Sequence, residues 1–522
     1  MRTKSVYIII FFALTLNVFS QTPKNGGVTL DDADEHFSHT NYLMAIPIYK
    51  AQLRENPQNF GIKFKLGVCY LRTRINREES IKYLEDYVKN PKYDEEAWIH
   101  LGKAYMLNDK IDEAIKAFEK YKTLKPKKES DVARLLENCN NAKALMQRPI
   151  NVTFQNLGKE INSDDPDYYP FINEDETFLT FTSRRKDGIG GKKVELDGYH
   201  PSDIYFSKVE NGKWTKATNA GKIINGMYDE QAVGLKSDGL EMYVYEDHIE
   251  KFGDLYISSR KDLSSEFMKP KLCDPIINEK VETSGCLSED GYTMFFARKD
   301  KLSENSDLYV CRKLPTGKWG QPQRLPDVIN SKYNEDFPYL LNDGVTLFFS
   351  SEGHNSMGGY DLFKTTWNPE TNVFSKPENL GYPLNTTDDD RNICVTPDDR
   401  VAYVSAFRPG GLGDLDIYRV KFNDHDQLNK RFIGKVFMED TIPAHQPKTF
   451  VASIVVTNKK TKKELLYSPH SKTGKFVLSL PVGKYVVSVT ADGYHEYTEE
   501  ITVSDIGRVD MEKKKNFILQ KK

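Results

Sequence analysis

Asp203-Ile204-Tyr205, Asp254-Leu255-Tyr256, Asp307-Leu308-Tyr309, Asp361-Leu362-Phe363 and Asp416-Ile417-Tyr418 are five versions of one triplet. They stand 51, 53, 54 and 55 residues apart. A turn precedes each one: Asp175-Glu176, Asp238-Gly239, Asp290-Gly291, Asp343-Gly344 and Asp398-Asp399. A strand-like run follows each turn, as at residues 177–181, 292–297 and 345–350. Alternating runs rich in aromatics and bounded by Asp/Gly turns read as small antiparallel sheets.

Working outward from the triplets, each repeat closes on an apolar residue followed by Asn: Ile224-Asn225, Ile277-Asn278, Ile329-Asn330 and Leu384-Asn385. An aromatic lies eleven residues before each Asn: Trp214, Phe267, Trp319 and Phe374. A further such tail, Ile161-Asn162, comes before the first triplet, with its aromatic displaced to Phe154 and Asn151 at the expected place. The last head, residues 389–422, has no tail after it. Heads and tails are therefore offset by one, which predicts that residues 151–162 pair as the outer strand of the last unit. Such closure removes an exposed sheet edge. The expectation is a five-bladed β-propeller over residues 150–424.

A shorter repeat of about 34 residues precedes it. Its clearest copy places Trp98, Leu101, Gly102, Tyr105, Ala114 and Phe118 before Pro126. The copy before it shows Leu66, Gly67, Tyr70, Leu84 and Pro91, and the first shows Ala33, Ala45, Tyr49 and Pro57. Small residues at Gly102 and Ala114 let two antiparallel helices approach, and Pro126 ends the second. Residues 129–146 read as a capping helix. Residues 26–147 are thus expected to form an α-solenoid.

Past Phe422 the long repeat stops. Residues 430–510 read as a β-sandwich, with strands at 450–457, 475–480, 484–490 and 499–503. The last ten Lys-rich residues are expected to fray.

The N-terminus has the pattern of a secretory signal peptide over residues 1–20: Arg2 and Lys4, then an apolar run from Val6 to Leu16, then Val18-Phe19-Ser20. That run is short for a membrane span, so an exported protein with no transmembrane segment is expected. Charges nearly balance, with 73 basic against 76 acidic residues, which gives no global field for nucleic acid. The balance is uneven: residues 430–522 hold 17 basic and 10 acidic residues, while the middle is acidic. Attraction between those two parts is an expectation. None of the six cysteines forms a C-x-x-C, and most sit in apolar patterns, so buried free thiols are expected.

No G-x-S-x-G is present. Gly353-His354-Asn355-Ser356-Met357-Gly358-Gly359 is a Gly-rich loop between two strands, matched by Pro409-Gly410-Gly411-Leu412-Gly413 in the last unit. It reads as a structural habit of the repeat. His36 and His39 read as surface helix residues. Asp164, Asp165 and Asp167, and Asp388, Asp389 and Asp390, occupy equivalent positions. They read as turn residues accepting backbone hydrogen bonds rather than as calcium ligands or catalytic carboxylates. No enzyme, cofactor, metal or catalytic residue is expected. The concave face of the solenoid is the functional candidate: Phe64, Val68, Leu71 and Arg72 from one helix, and Ile99, Lys103 and Met106 from another. Apolar anchors with a few cations suit an extended peptide or a helix. The alternative is that the helices simply pack on the ring.

The short repeat resembles the tetratricopeptide (TPR) pattern, and the long one resembles the WD40-like PD40 repeats of TolB-like propellers. Gly474-Lys475-Phe476, residues 480–485 and Ala491-Asp492-Gly493-Tyr494 resemble the carboxypeptidase regulatory-like domain, a transthyretin-like β-sandwich. The combination is similar to Bacteroidota envelope proteins of the PorE type, found in type 9 secretion. Those relatives carry a C-terminal OmpA-like domain without a counterpart here, so direct peptidoglycan binding is not expected. The resemblance implies a non-enzymatic periplasmic scaffold associated with the outer membrane. Its implied partners are outer-membrane or secretion-machinery proteins. The alternatives are a glycan-binding or glycan-active propeller and a TolB-like coupling protein.

Overall fold

The computed structural model describes residues 28–522 except 74, 192, 249–250, 300–304, 425–429, 439–450, 471–472 and 505–511. Residues 1–20, read above as a signal peptide, lie outside the described residues. Helices come first and antiparallel sheets follow.

Among the described residues the helices are α1 (Leu30–Ser38), α2 (Tyr42–Glu55), α3 (Phe60–Arg72), α4 (Glu78–Tyr87), α5 (Ala97–Met106), α6 (Ile111–Leu124) and α7 (Ser130–Met146). Thr29 starts α1 with a capping box to Asp32, and Asn41 and Asn59 cap α2 and α3 through their side-chain oxygens. Sequence neighbours pack as pairs because their small residues face large ones. A Cβ on Gly67 would sit 2.6 Å from Leu84 Cγ, and one on Gly102 would sit 2.3 Å from Phe118 Cε1. The fully buried Phe118 contributes about 2–3 kcal/mol of apolar transfer free energy. Pro126 follows the end of α6 and opens a short 3-10 turn.

Five antiparallel sheets follow, each built from three consecutive main strands. They run from Asp167–Ile172 to Asp203–Glu210, Asp229–Leu235 to Lys251–Ser259, Val281–Leu287 to Ser306–Arg312, Glu335–Leu340 to Asp361–Asn368, and Ile393–Val395 to Asp416–Phe422. The first strand of each sheet touches the next sheet, and the fifth sheet touches the first, so the five close a ring. Val152–Asn156 pairs antiparallel with Asp416–Phe422, from Val152 opposite Phe422 to Asn156 opposite Tyr418. This joins the ring's two chain ends in one sheet.

The tail asparagines do one job five times. Each Oδ1 accepts from the N–H of the middle triplet residue, Ile204, Leu255, Leu308, Leu362 or Ile417, at 2.8–3.0 Å. Each Nδ2 donates back to that residue's carbonyl at 2.8–3.1 Å. The side-chain amide thus imitates a strand partner where the third strand would otherwise leave backbone groups unpaired.

The acid four or five residues after each tail Asn is also repeated. Asp167 takes the Ser163 N–H, Glu230 that of Gly226, Glu282 that of Lys280, Glu335 that of Ser331 and Asp390 that of Thr386, at 2.6–3.2 Å. Asp167 and Asp390 are therefore buried turn acceptors. Asp388 instead pairs with Arg77 on the helices.

The C-terminal part is a sandwich of two sheets over a core that includes Phe432, Val436, Ile454, Val456, Leu478, Val487 and Val489. Here the structure corrects an expectation. The Lys-rich end does not fray: Glu512–Lys514 and Phe517–Leu519 pair parallel with Lys430–Met438, and Phe517 and Leu519 are buried in the core. Alternation decides it, since Phe517 and Leu519 point inward around an exposed Ile518. Ser504 contacts the ring at the carbonyl of Gly212, and among the described residues no ion pair joins the sandwich to the ring.

All six cysteines are buried and unpaired.

Candidate functional site

The seven residues predicted for the concave helical face do not share one exposure. Val68, Leu71 and Met106 are buried. Leu71 packs with Ile81, Leu84, Leu101 and Ala104. Met106 packs with Ile111, Phe118 and Met357, and Ile99 lies half-buried against the same cluster. These apolar positions hold helices together, so they are not open anchors. The spacing places them on the face that meets the next helix.

Phe64, Arg72 and Lys103 remain, and the structure adds His100. The Phe64 ring lies 4.9 Å from that of Tyr87 and 5.5 Å from that of His100. Arg72 is exposed and Lys103 half-buried. Burial holds the Lys103 ammonium below its ordinary pKa, and Arg72 adds to this. Burial also lowers His100, with Lys103 and Arg72 contributing and Glu96 and Asp94 opposing. His100 Nδ1 has no hydrogen-bond partner. Among the described residues neither Arg72 nor Lys103 forms an ion pair. Three basic groups thus crowd together beside an aromatic ring, each discouraging charge on its neighbours. An anion placed among them would relieve that repulsion. His100 could have been found in the sequence, since it precedes Lys103 by three residues on α5 and so lies beside it.

The helices also dock on the ring. The Gly-rich loop of the fourth sheet inserts Met357, fully buried, into the core between α6 and α7. Arg134 of α7 donates to the carbonyls of Gly353 at 2.8 Å and His354 at 3.2 Å, and its guanidinium lies 4.6 Å from the Tyr333 ring. Asn138 and Asn141 donate to the carbonyls of Gly358 and Ser356. The Arg77 guanidinium pairs with Asp388 and lies 4.5 Å from the Phe407 ring. The Gly-rich loop therefore has a specific role that sequence reading missed: it is the socket for the helices. Docking uses α6 and α7 with Arg77, and among the described residues it engages neither Arg72 nor Lys103.

A second concavity lies at the mouth of the ring, about 310 Å³, lined by Tyr168, Tyr169, Tyr199, Arg184, Asp389, Asp414 and neighbours. Tyr169 and Phe337 have positive φ, 53° and 48°, at bulges in the first strands of the first and fourth sheets. For bulky side chains this is strained backbone. Their rings lie 4.4 Å apart, between the first and fourth sheets. Asp336 anchors the Phe337 bulge, accepting from Ser284 Oγ at 2.5 Å, Thr283 Oγ1 at 2.9 Å and the Phe337 N–H at 2.8 Å. In the same concavity Arg184 pairs with Asp197 and Glu195 and lies 5.0 Å from the Tyr199 ring. The Tyr199 hydroxyl donates to Asp414 at 3.0 Å, and Arg391 pairs with Asp389 at 3.2 Å. This mouth has carboxylates and aromatic rings from different sheets, and of them only Asp389 belongs to a cluster that sequence spacing had marked.

No family model matches the chain, and no curated protein matches it. Solved structures do show likeness over about half of it. A protein titled "Glycoside hydrolase" is 9% identical, with a TM-score of 0.38, over 54% of this chain and 94% of that one. A structure titled as a putative TolB from Agrobacterium tumefaciens is 14% identical, with a TM-score of 0.28, over 52% of this chain and 98% of that one. A β-1,2-mannobiose phosphorylase from Listeria innocua is 9% identical, with a TM-score of 0.36, over 53% of this chain and 98% of that one. These findings correct the expectation that the chain is not an enzyme. A hydrolase and a phosphorylase stand among the similar structures. At these TM-scores the likeness assigns no activity to it. No helix among the described residues is long and apolar enough to cross a membrane.

Proposed function

We propose that this chain is an exported envelope protein that binds an acidic segment of a partner protein on its helical concave face. In this reading α1 to α7 are a TPR array, the five sheets are a five-bladed TolB-like propeller, and the last domain is a carboxypeptidase regulatory-like sandwich. The propeller is the rigid base on which Met357 and Arg134 fix the helices. The protein sits in the periplasm at the outer membrane, and its partner belongs to the secretion or envelope-assembly machinery. The supporting observation is the unpaired basic group of Arg72, His100 and Lys103 beside Phe64. Crosslinking of the full chain in envelope fractions, followed by mass spectrometry, tests it. Crosslinks from α3 and α5 to an acidic partner segment, lost in an Arg72→Glu/Lys103→Glu variant, are expected. Equal crosslinking by wild type and variant would refute the reading.

A second reading rests on the mouth of the ring. Three tyrosines with Arg184, Asp389 and Asp414 suit a sugar, which offers C–H faces to rings and hydroxyls to charged groups. Calorimetric titration with a panel of oligosaccharides tests it. Binding abolished by Tyr199→Ala supports the reading, and no heat from any member of the panel counts against it.

A further inference from the structure

One repeat position buries a cation where the others do not. In each ring sheet the third main strand ends with a backbone N–H donated to the residue ahead of the middle strand. Val209 donates to Thr177, Arg260 to Leu240, Lys313 to Tyr292, Trp367 to Val345 and Phe422 to Arg400. Three of these five are apolar. Lys313 is only half-buried, whereas Arg260 is 6% exposed.

Among the described residues Arg260 has no carboxylate partner. Its Nε donates to the carbonyl of Gly239 at 2.9 Å, and its Nη2 is buried without a hydrogen-bond partner. Its guanidinium lies between the rings of Phe178 and Phe267, at 3.9 Å and 4.4 Å. Two aromatic faces soften the burial of a cation without neutralising it. Burial accordingly lowers its pKa to about 10, against the opposing pull of Asp262 and Asp238.

Arg260 lines a groove of about 450 Å³ between the first and second sheets. Lys208, Lys216 and Lys222 line the same groove, are exposed, and form no ion pair among the described residues. Glu210 and Glu266, also exposed, line it too, so four cations face two carboxylates. The surplus is positive inside an acidic ring. Phe206, Phe267 and the 51% exposed Ile223 give the groove an apolar side.

We propose that this groove binds a phosphate group carried on a larger, partly apolar molecule, with Arg260 at its base and the three lysines at its rim. Guanidinium and ammonium groups supply the donors that a phosphate oxygen needs, and a bound phosphate supplies the negative charge the groove lacks. The apolar side takes the body to which the phosphate is attached. The site is independent of the helical face and of the ring mouth.

The test uses the full chain. Inorganic phosphate is titrated by calorimetry against chloride at matched ionic strength. In parallel, flotation is measured with phosphatidylcholine vesicles with and without phosphatidylglycerol. Saturable phosphate binding without flotation supports the site and identifies a soluble phosphate compound as its ligand. Flotation that requires phosphatidylglycerol supports the site and identifies a lipid headgroup. The absence of both phosphate binding and phosphatidylglycerol-dependent flotation overturns the proposal. Arg260→Trp places at this position the residue of the fourth sheet and should weaken either form of binding at least about tenfold. A Lys208→Ser/Lys216→Ser/Lys222→Ser variant touches only exposed residues, so it keeps the test valid if Arg260→Trp misfolds. It should also weaken binding about tenfold or more, and unchanged binding by this variant would overturn the proposal.

Discussion

Replacing Asn330 by Ala should destabilise the ring through three specific hydrogen bonds. Its Oδ1 accepts from the Leu308 N–H at 2.8 Å, and its Nδ2 donates to the carbonyls of Leu308 at 3.0 Å and Leu325 at 2.9 Å. Asn330 is buried, as are the groups it serves, so water cannot replace it without opening the sheet. At about 1 kcal/mol per bond, with a further penalty for a stranded N–H, the loss is roughly 3–4 kcal/mol. For a unit of this size that lowers the melting temperature by roughly 6–15 °C. Asn278 is half-buried and serves only Leu255, with bonds of 3.0 and 2.8 Å, so Asn278→Ala should lose less, about 2 kcal/mol. Scanning calorimetry of both variants and wild type measures this, with the ring transition followed separately from that of the helices. The ordering matters more than the absolute values. Equal losses at the two positions, or a loss below about 0.5 kcal/mol at Asn330, would refute the clamp reasoning.

Two further perturbations probe other parts of the account. Burial raises the Glu230 carboxyl from 4.5 to about 8, opposed by the Gly226 N–H that it accepts. The folded chain then holds a proton that the unfolded chain has released, so stability falls as pH rises from about 5 to about 8. Glu230→Gln should remove that slope and be more stable than wild type at about pH 8, by up to roughly 3–5 kcal/mol. Urea unfolding midpoints at the two pH values measure this, and parallel slopes for the two proteins would contradict it. Met357→Ala should leave a cavity between the ring loop and the helices, costing about 2–4 kcal/mol of docking. Amide exchange in Ser130–Met146 should speed up while exchange in the ring sheets stays unchanged. Uniform acceleration everywhere would instead mean that the ring itself had weakened.

Features carried by local chemistry were legible in the sequence. The tail asparagines stand out because each must meet the same triplet residue, and the repeat copies that requirement five times. Gly67 and Gly102 stand out because each faces a large side chain on the next helix. The missed features depend on contacts remote in sequence. Met357 looked like one residue of a Gly-rich loop, since its partners on α6 and α7 are more than two hundred positions away. Phe517 and Leu519 pair parallel with a strand some eighty residues earlier, and a short Lys-rich alternation gives no local sign of it. On the helical face, spacing could not separate the side of α3 and α5 that packs from the side that faces outward. Val68, Leu71 and Met106 fell to the packed side, and Arg72 and Lys103 to the open one. Arg260 was invisible as a candidate because its oddity appears only against the residues at the same place in the other four sheets.

The account turns most directly on whether the basic group of the helical face engages a partner. Fluorescence anisotropy with an acidic peptide, taken from the partner segment that crosslinks to α3 and α5, measures it on the full chain. Wild type should bind with an affinity that falls as salt rises, and Arg72→Glu/Lys103→Glu should bind at least about tenfold more weakly with its fold intact. Salt-independent binding that the double variant retains in full would contradict the account.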